Sequence, residues 1–164
     1  MKKVFFSLSL SLCLFVLPLK MEKAWSFTPH SLKTPKVGVI AHRGFSSKAP
    51  ENTMAALKKA FDSRVSHIEI DVQLSKDGEV ILLHDSSLDR TTNGYGKVAY
   101  KTLKELKELD AGSWFSSKFK GEKIPTLKEA LEWLPQEGPT LIIEVKSTKG
   151  TFGIESKIAD LIQE

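Results

Sequence analysis

Residues 67–74 read HIEIDVQL, a sequence in which polar and apolar residues alternate. It has the length and composition of a β-strand, whose residues point alternately to the two faces of a sheet. Glu69 and Asp71 therefore share one face, and Ile68 and Ile70 face the opposite layer. Burying neighbouring carboxylates unpaired is costly, and a divalent cation removes that cost. Oxygen ligands favour Ca²⁺, Mg²⁺ or Mn²⁺ over Zn²⁺. A rim ion pair or a solvated edge strand is the alternative interpretation.

Other short apolar runs alternate with helical patterns on both sides of this stretch. They are apolar almost throughout, which suits strands covered on both faces and favours an α/β fold. Residues 76–78 make a tight turn between two strands, and residues 85–121 form a loop-rich insertion. The predicted strands are 37–41, 67–74, 79–83 and 141–143, and the predicted helices are capped by Asn52, Thr102 and Thr126 or run from Ile154 to the last residue.

Most of the candidate functional residues lie at or just after the ends of these strands. Parallel strands end at one edge of a sheet, so we expect these residues to line a single pocket. His42 and His84 each follow a strand, and imidazoles can take and give protons near neutral pH. Glu144 ends the strand at 141–143 and is a candidate third carboxylate.

Cationic side chains accompany these groups. The guanidinium of Arg43 can bind a phosphate with its planar fork, or it can form a rim salt bridge with Glu51. Lys146 lies two residues beyond Glu144 and hence on the same side of the strand. Proton transfer, cation binding and anion binding together are what metal-dependent cleavage of a phosphodiester requires.

The order of the motifs resembles that of the glycerophosphodiester phosphodiesterases. Each motif is weak alone, and their joint occurrence from about residue 37 to the C-terminus is specific. The motifs are His42-Arg43-Gly44, Pro50-Glu51-Asn52-Thr53, Glu69-Ile70-Asp71-Val72, Asp77-Gly78, His84-Asp85, Leu88-Asp89-Arg90-Thr91-Thr92-Asn93-Gly94, Ile124-Pro125-Thr126-Leu127 and Glu144-Val145-Lys146.

The resemblance implies a (β/α)₈ barrel of the TIM type, with its site at the carboxyl ends of the strands. It implies hydrolysis of a small glycerophosphodiester, such as glycerophosphocholine, to glycerol 3-phosphate and an alcohol. The implied cofactor is a divalent cation, Ca²⁺ or Mg²⁺. The implied roles are acid–base catalysis for His42 and His84, cation binding for Glu69, Asp71 and Glu144, phosphate contact for Arg43 and Lys146, and support of the site for Glu51.

The first 26 residues have the pattern of a secretory signal peptide. Lys2 and Lys3 precede an apolar run, and Ala24 and Ser26 are small residues where a signal peptidase reads. The run is short for a spanning helix, so an uncleaved N-terminal anchor is the alternative. We expect an exported, periplasmic or extracellular protein without stable membrane insertion after cleavage. A lead-in arm over 27–36 and a catalytic domain over 37–164 would follow.

Removal of this segment changes the charge of the chain. The whole chain carries 24 Lys and Arg against 20 Asp and Glu, and four of these lysines and one glutamate lie in residues 1–26, so the net charge falls from +4 to +1. Nucleic-acid binding usually needs a clustered basic surface and is therefore not expected. The single cysteine, Cys13, lies in the same segment, so we expect no disulfide in the mature chain.

The length of the domain departs from the family pattern. A complete barrel takes about 250 residues, whereas removal of 26 residues leaves 138 of the 164. About four strands are expected, so the chain corresponds to the N-terminal half of a barrel. Its open sheet edges would require self-association or pairing with a missing half. Two alternatives stay open: a non-catalytic remnant that binds a cation or a phosphate headgroup, and a related phosphodiesterase that acts on lysophospholipids.

Overall fold

The computed structural model describes residues 38–135, 137–146 and 153–163, and the backbone of residues 4–7. In these residues the strands are β1 Val4–Ser7, β2 Ile40–Ala41, β3 His67–Leu74, β4 Val80–Leu82 and β5 Thr140–Val145. The helices are α1 Met54–Asp62, α2 Leu103–Glu108, α3 Leu127–Trp133 and α4 Ile154–Gln163, with 3₁₀ turns at Val98–Tyr100 and Ser117–Phe119. The strands form one sheet in the order β1-β5-β3-β2, and β4 also pairs with β3.

The central strand is β3, and the prediction of a strand over 67–74 is confirmed at both ends. It pairs in parallel with β2 and β5. The predicted first strand is shorter than expected, because β3 begins at His67 and leaves only Ile40 and Ala41 with strand partners; residue 37 lies outside the described residues.

The prediction that the ends of parallel strands carry the site residues is wrong for β4. This strand runs antiparallel to β3, with Val72 opposite Leu82 and Leu74 opposite Val80. The turn at residues 76–78 is confirmed, and so short a connection can join only antiparallel strands. The end of β4 therefore returns along β3 toward its middle.

The two faces of β3 have opposite chemistry. Ile68, Ile70 and Val72 are fully buried in a core that includes residues of α1, α3 and α4. Removal of this apolar surface from water supplies the main driving force for folding. The other face carries Glu69 and Asp71, which are also buried. The division of faces predicted from the alternating sequence is thus confirmed.

The helix boundaries follow their capping residues. Thr53, rather than the predicted Asn52, caps α1: its hydroxyl accepts a hydrogen bond from the Ala56 N–H at 3.3 Å. Asn52 has a φ of +55°, and its side chain contacts Asp71 instead. The predicted capping boxes at Thr102 and Thr126 are confirmed, and α4 begins at Ile154 as expected.

The predicted loop-rich insertion contains a hydrophobic core of its own. Leu88, Val98 and Leu106 are fully buried there. They belong to one cluster with Ile81 of β4 and with Ile124, which precedes α3. The insertion is therefore packed against the sheet, so its polar residues can be held in fixed positions near the strand ends.

Four residues of the predicted signal peptide form β1, which pairs in parallel with β5. The rest of that segment and the predicted lead-in arm lie outside the described residues. Among the described helices, none has both the length and the apolar character needed to cross a membrane.

Candidate active site

Three carboxylates converge on one face of the sheet. Asp71 lies directly opposite Glu144 in the pairing of β3 with β5, and Glu69 precedes Asp71 by two residues. Ligand oxygens of the three residues lie within 4.8 Å of one another. Glu69 and Asp71 are 7% and 0% exposed, whereas the side chain of Glu144 is 45% exposed. The structure thus brings together the three residues that the sequence nominated as cation ligands.

The buried oxygens of this cluster test whether a cation fits. Glu69 Oε1 is buried and accepts no hydrogen bond from the described residues. Asp71 Oδ1 lies 2.9 Å from Lys146 Nζ and forms an ion pair with it. Hard divalent cations prefer such carboxylate oxygens. Closely spaced carboxylate oxygens, one of which is buried without a donor among the described residues, fit a hard divalent cation.

Burial also perturbs the ionisation of Glu69. Loss of solvation raises the pKa of the Glu69 carboxyl, and the neighbouring charge of Asp71 raises it further. The backbone N–H of Arg43, which donates to Glu69 Oε2 at 2.7 Å, opposes this rise without cancelling it. The carboxylates therefore repel one another in a poorly solvated place, which is the situation that a bound cation relieves.

Two cationic side chains flank the carboxylates, and each is 19% exposed. Lys146 Nζ donates a hydrogen bond to Glu144. Burial opposes the charge of Lys146, but Glu144 and Asp71 together raise the pKa of its amine. Arg43 Nε lies 3.2 Å from Asp71 Oδ2, and Arg43 Nη1 donates to Glu51 Oε1 at 2.9 Å. Arg43 thus forms the salt bridge that the sequence left open and also faces the carboxylate cluster.

The turn after β2 has an unusual backbone. Arg43 and Gly44 have φ values of +56° and +73°. A Cβ atom on Gly44 would lie 2.7 Å from the Cβ of Ala56, so only glycine fits. The Gly44 N–H donates to the backbone oxygen of Glu69 at 3.0 Å. A left-handed conformation at a residue such as Arg43 costs on the order of 1 kcal/mol, and here it directs the Arg43 N–H at the Glu69 carboxylate.

The two histidines have different surroundings. His42 Nε2 lies 3.9 Å from Glu69 Oε2, and the His42 side chain is 64% exposed. His84 is 31% exposed, and its Nδ1 lies 2.6 Å from Asp85 Oδ1. The residue before it, Leu83, donates its N–H to the Asp71 backbone oxygen at 3.1 Å. Although β4 is antiparallel, its end therefore brings His84 to the level of Asp71.

Sequence reasoning missed two side-chain amides that hold Asp71 and the backbone on either side of His84 in place. Asn52 Nδ2 donates to Asp71 Oδ2 at 2.8 Å, and the Asp71 N–H donates to Asn52 Oδ1 at 3.1 Å. Gln73 Nε2 donates to the backbone oxygens of Leu83 and Asp85, both at 2.8 Å. The position of Asn52 next to Glu51 was the available signal, but its capping tendency offered a simpler interpretation. Gln73, two residues beyond Asp71 on the same face, had the right spacing and no distinctive chemistry.

Sequence reasoning also missed the ion network between the histidine and the carboxylates. Arg90 Nε donates to Asp85 Oδ2 at 2.7 Å, and its two Nη atoms donate to the Glu51 carboxylate at 2.9 and 2.7 Å. Arg90 lowers the pKa of Asp85. Burial opposes ionisation of Glu51, but hydrogen bonds from Arg90 and Arg43 lower its pKa overall. Both acids are therefore ionised at neutral pH.

Comparisons with known proteins identify the family of the chain. The model of the glycerophosphoryl diester phosphodiesterase family matches residues 42–163. A glycerophosphodiester phosphodiesterase of Caldanaerobacter subterraneus subsp. tengcongensis is 49% identical over 130 residues, which are 79% of this chain and 54% of the relative. A glycerophosphodiester phosphodiesterase of Bacillus subtilis is 38% identical over 168 residues, covering 93% of this chain and 57% of the relative.

Solved structures show the same architecture. A glycerophosphodiester phosphodiesterase from Agrobacterium tumefaciens superimposes with a TM-score of 0.70 at 40% identity, over 77% of this chain and 52% of that chain. An Oleispira antarctica phosphodiesterase, solved in complex with the product sn-glycerol-3-phosphate, gives a TM-score of 0.72 at 43% identity, over 78% of this chain and 52% of that chain.

The fold and its structural neighbours define an α/β protein of the TIM-barrel class, as predicted. The chain belongs to the glycerophosphoryl diester phosphodiesterase family. It spans about half the length of the curated relatives it matches.

Proposed function

We propose that this protein hydrolyses glycerophosphodiesters to glycerol 3-phosphate and an alcohol in a reaction that depends on a divalent cation. The observation that carries the proposal is the cluster of Glu69, Asp71 and Glu144, whose ligand oxygens lie within 4.8 Å of one another and of which the first two residues are buried. His42 and two cationic side chains lie next to it, and His84 follows β4, which pairs with β3. The names of the relatives support the substrate class, as does the product bound to the Oleispira structure.

The three carboxylates would hold the cation, Ca²⁺ or Mg²⁺. When bound, such an ion neutralises charge that develops on the phosphate and lowers the pKa of a coordinated hydroxyl. The structural support is Glu69 Oε1, a buried oxygen that lacks a hydrogen-bond donor among the described residues. Asn52 and the Arg43 N–H each occupy one oxygen of a carboxylate and thereby orient the other.

His42 and His84 would carry the proton transfers. Cleavage of a phosphodiester needs one group to take a proton from the attacking hydroxyl or water and another to give a proton to the departing alkoxide. Neutral imidazole can do the first and imidazolium the second. The exposed ring of His42 is accessible to a substrate, and the ring of His84 is held through Nδ1 by Asp85.

Arg43 and Lys146 would contact the phosphate. The three carboxylates and these two side chains sum to one negative charge, and a divalent cation would turn that sum into one positive charge. A phosphodiester monoanion would then neutralise the site. The support for this assignment is position: both side chains lie within 3.2 Å of Asp71 and keep part of their surface exposed.

The test is an assay of the purified 164-residue chain with glycerophosphocholine and added Ca²⁺ or Mg²⁺. We expect release of glycerol 3-phosphate that excess chelator abolishes, that Glu69→Gln lacks and that Glu132→Gln, a change at an exposed acid of α3, retains. Absence of release from a folded chain would contradict activity and favour a cation-binding remnant. Turnover only of micellar lysophospholipid would favour the lysophospholipid alternative.

We also propose that the protein is exported and that its sheet edges pair with another polypeptide. The N-terminal sequence pattern supports export. Loss of residues 1–26 would remove β1 from β5 and leave the backbone of Thr140–Val145 open on one side. Val39 and Ile40, at the opposite edge, are 59% and 54% exposed. Light scattering on the secreted product should give a mass above that of one chain, and a stable monomer would contradict the pairing.

A further inference from the structure

We infer that Arg90 is a positioning residue, which acts through Asp85 to fix the tautomer of His84. The inference rests on the proposed function, in which His84 transfers a proton. Asp85 and Arg90 both belong to the insertion and lie outside the cation cluster and the phosphate contacts.

The guanidinium of Arg90 binds two carboxylates through two of its edges. Nε and Nη2 donate to Asp85 at 2.7 and 3.0 Å, and Nη1 and Nη2 donate to Glu51 at 2.9 and 2.7 Å. This geometry uses the rigid planar fork of arginine. The single nitrogen of a lysine cannot hold both oxygens of both partners.

The state of Asp85 determines the tautomer of His84. The hydrogen bonds from Arg90 lower the pKa of Asp85, so its carboxylate is ionised and can only accept. His84 Nδ1, 2.6 Å from Asp85 Oδ1, must then carry the proton of this hydrogen bond. Nε2 of the neutral ring is left with the basic lone pair that a proton acceptor needs.

Other residues fix the backbone of Asp85, and Arg90 holds its side chain. The backbone at Asp85 is already fixed, because Gln73 Nε2 donates to its carbonyl oxygen at 2.8 Å. Its side chain is 26% exposed and would be free to turn to solvent without a partner. Arg90 itself sits in a turn anchored by the buried Leu88, whose carbonyl accepts the N–H and the hydroxyl of Thr92 at 3.1 and 2.7 Å.

The same guanidinium connects the two sides of the site. Glu51 accepts from Arg90 and also from Arg43, whose Nε lies 3.2 Å from Asp71. A displacement of Arg90 is therefore expected to affect the histidine first, through Asp85, and the phosphate-binding arginine second, through Glu51.

The test reads the imidazole of His84 directly by ¹⁵N NMR of the histidine-labelled 164-residue chain, with the signal assigned through His84→Gln. We expect the Nδ1–H tautomer in the parent chain, a shift toward Nε2–H in Asp85→Asn, and a smaller shift in Arg90→Lys, which keeps the charge. Asp89→Asn, the same change at the exposed neighbouring acid, should leave the tautomer unaltered. Circular dichroism would verify that each variant is folded.

Kinetics would provide the second measurement. General acid–base catalysis contributes about 10²–10⁴-fold to a rate, so Asp85→Asn should lower kcat by about 10²-fold with little change in KM. An Nε2–H tautomer in the parent chain, or a tautomer unchanged in either Asp85→Asn or Arg90→Lys, would overturn the inference. A parent chain without turnover would contradict the proposed function alone, because the NMR result decides the positioning role independently.

Discussion

The carboxylate side of the site and its histidine side are built in different ways. Glu69, Asp71 and Glu144 come from two adjacent parallel strands, and strand register alone brings them together. His84 instead follows an antiparallel strand and is held by Asp85 and Arg90, which belong to the insertion. The first side depends on regular sheet geometry, and the second depends on a charged network that closes only in the folded insertion.

The two sides also differ in electrostatics. The carboxylate side buries like charges, and burial raises the pKa of Glu69. The histidine side pairs opposite charges at a partly exposed rim, where such pairs contribute about 0–1 kcal/mol each to stability. We therefore expect the carboxylates to reduce stability without a cation, and the network to orient groups while contributing little to stability.

Glu69→Gln should have the largest effect on activity. Loss of one cation ligand is expected to lower turnover by at least about 10⁴-fold, or roughly 5 kcal/mol. The same change should leave the melting temperature in chelator unchanged or higher, because it removes a buried like charge. Steady-state assays and thermal melts would measure both effects. Retained turnover together with lower stability would mean that Glu69 has a structural role only.

His84→Ala should reduce kcat by about 10²–10⁴-fold, the usual contribution of a general acid or base. Its KM and its affinity for the cation should change little, since the carboxylate cluster does not depend on the ring. Rapid-mixing kinetics with saturating cation would measure kcat separately from KM. An unchanged kcat would remove His84 from the acid–base pair.

Leu106→Ala should destabilise the insertion more than the sheet. Leu106 is fully buried in the core of the insertion, and truncating such a residue costs about 2–5 kcal/mol. We expect faster hydrogen exchange at Val98 and Leu88 than at Ile70 of β3. Equal acceleration in both places would show that insertion and sheet unfold as a single unit, and would weaken the distinction between the two sides.

Acid should destabilise the insertion by less than Leu106→Ala does. Hydrogen bonds from the N–H groups of Ser113, Gly121 and Gly112, at 2.8 to 2.9 Å, hold the pKa of Asp110 well below its ordinary 3.8. A carboxyl with a lowered pKa stabilises the fold above about pH 3.8, and this contribution is lost as the pH falls toward the folded-state value.

The expected observation is a fall in unfolding free energy below about pH 4 that is smaller in Asp110→Asn, whose amide cannot ionise. Denaturant titrations at several pH values would measure it. Asp85 has the same sign of pKa shift, so Asp85→Asn should also flatten the acid limb. An identical pH profile in the parent chain and in Asp110→Asn would contradict the role of the Asp110 carboxylate.

Much of the carboxylate side could be predicted from the sequence, because a period of two residues determines which side chains share a face. The strand over 67–74, the shared face of Glu69 and Asp71, and the opposition of Asp71 to Glu144 follow from that rule once the strands are aligned. The antiparallel direction of β4 could also have been predicted from the sequence, since the turn at residues 76–78 allows only antiparallel pairing.

The side-chain contacts that hold the two sides in place were harder to predict, because they join loop residues to distant parts of the chain. Arg90 and Glu51 are separated by 39 positions, and Asn52 and Asp71 by 19. No periodicity relates such pairs, and arginines or asparagines in loops have many possible partners. The local capping tendency of Asn52 pointed to a helix start, whereas the tertiary hydrogen bonds to Asp71 determine its conformation.

Calorimetric titration of the metal-free 164-residue chain with Ca²⁺ and with Mg²⁺ tests the cation-binding role of the Glu69, Asp71 and Glu144 cluster most directly. We predict one bound ion per chain in the parent protein and in Glu132→Gln, and no binding in Glu69→Gln. Absence of binding in the parent chain, or equal binding in Glu69→Gln, would contradict it.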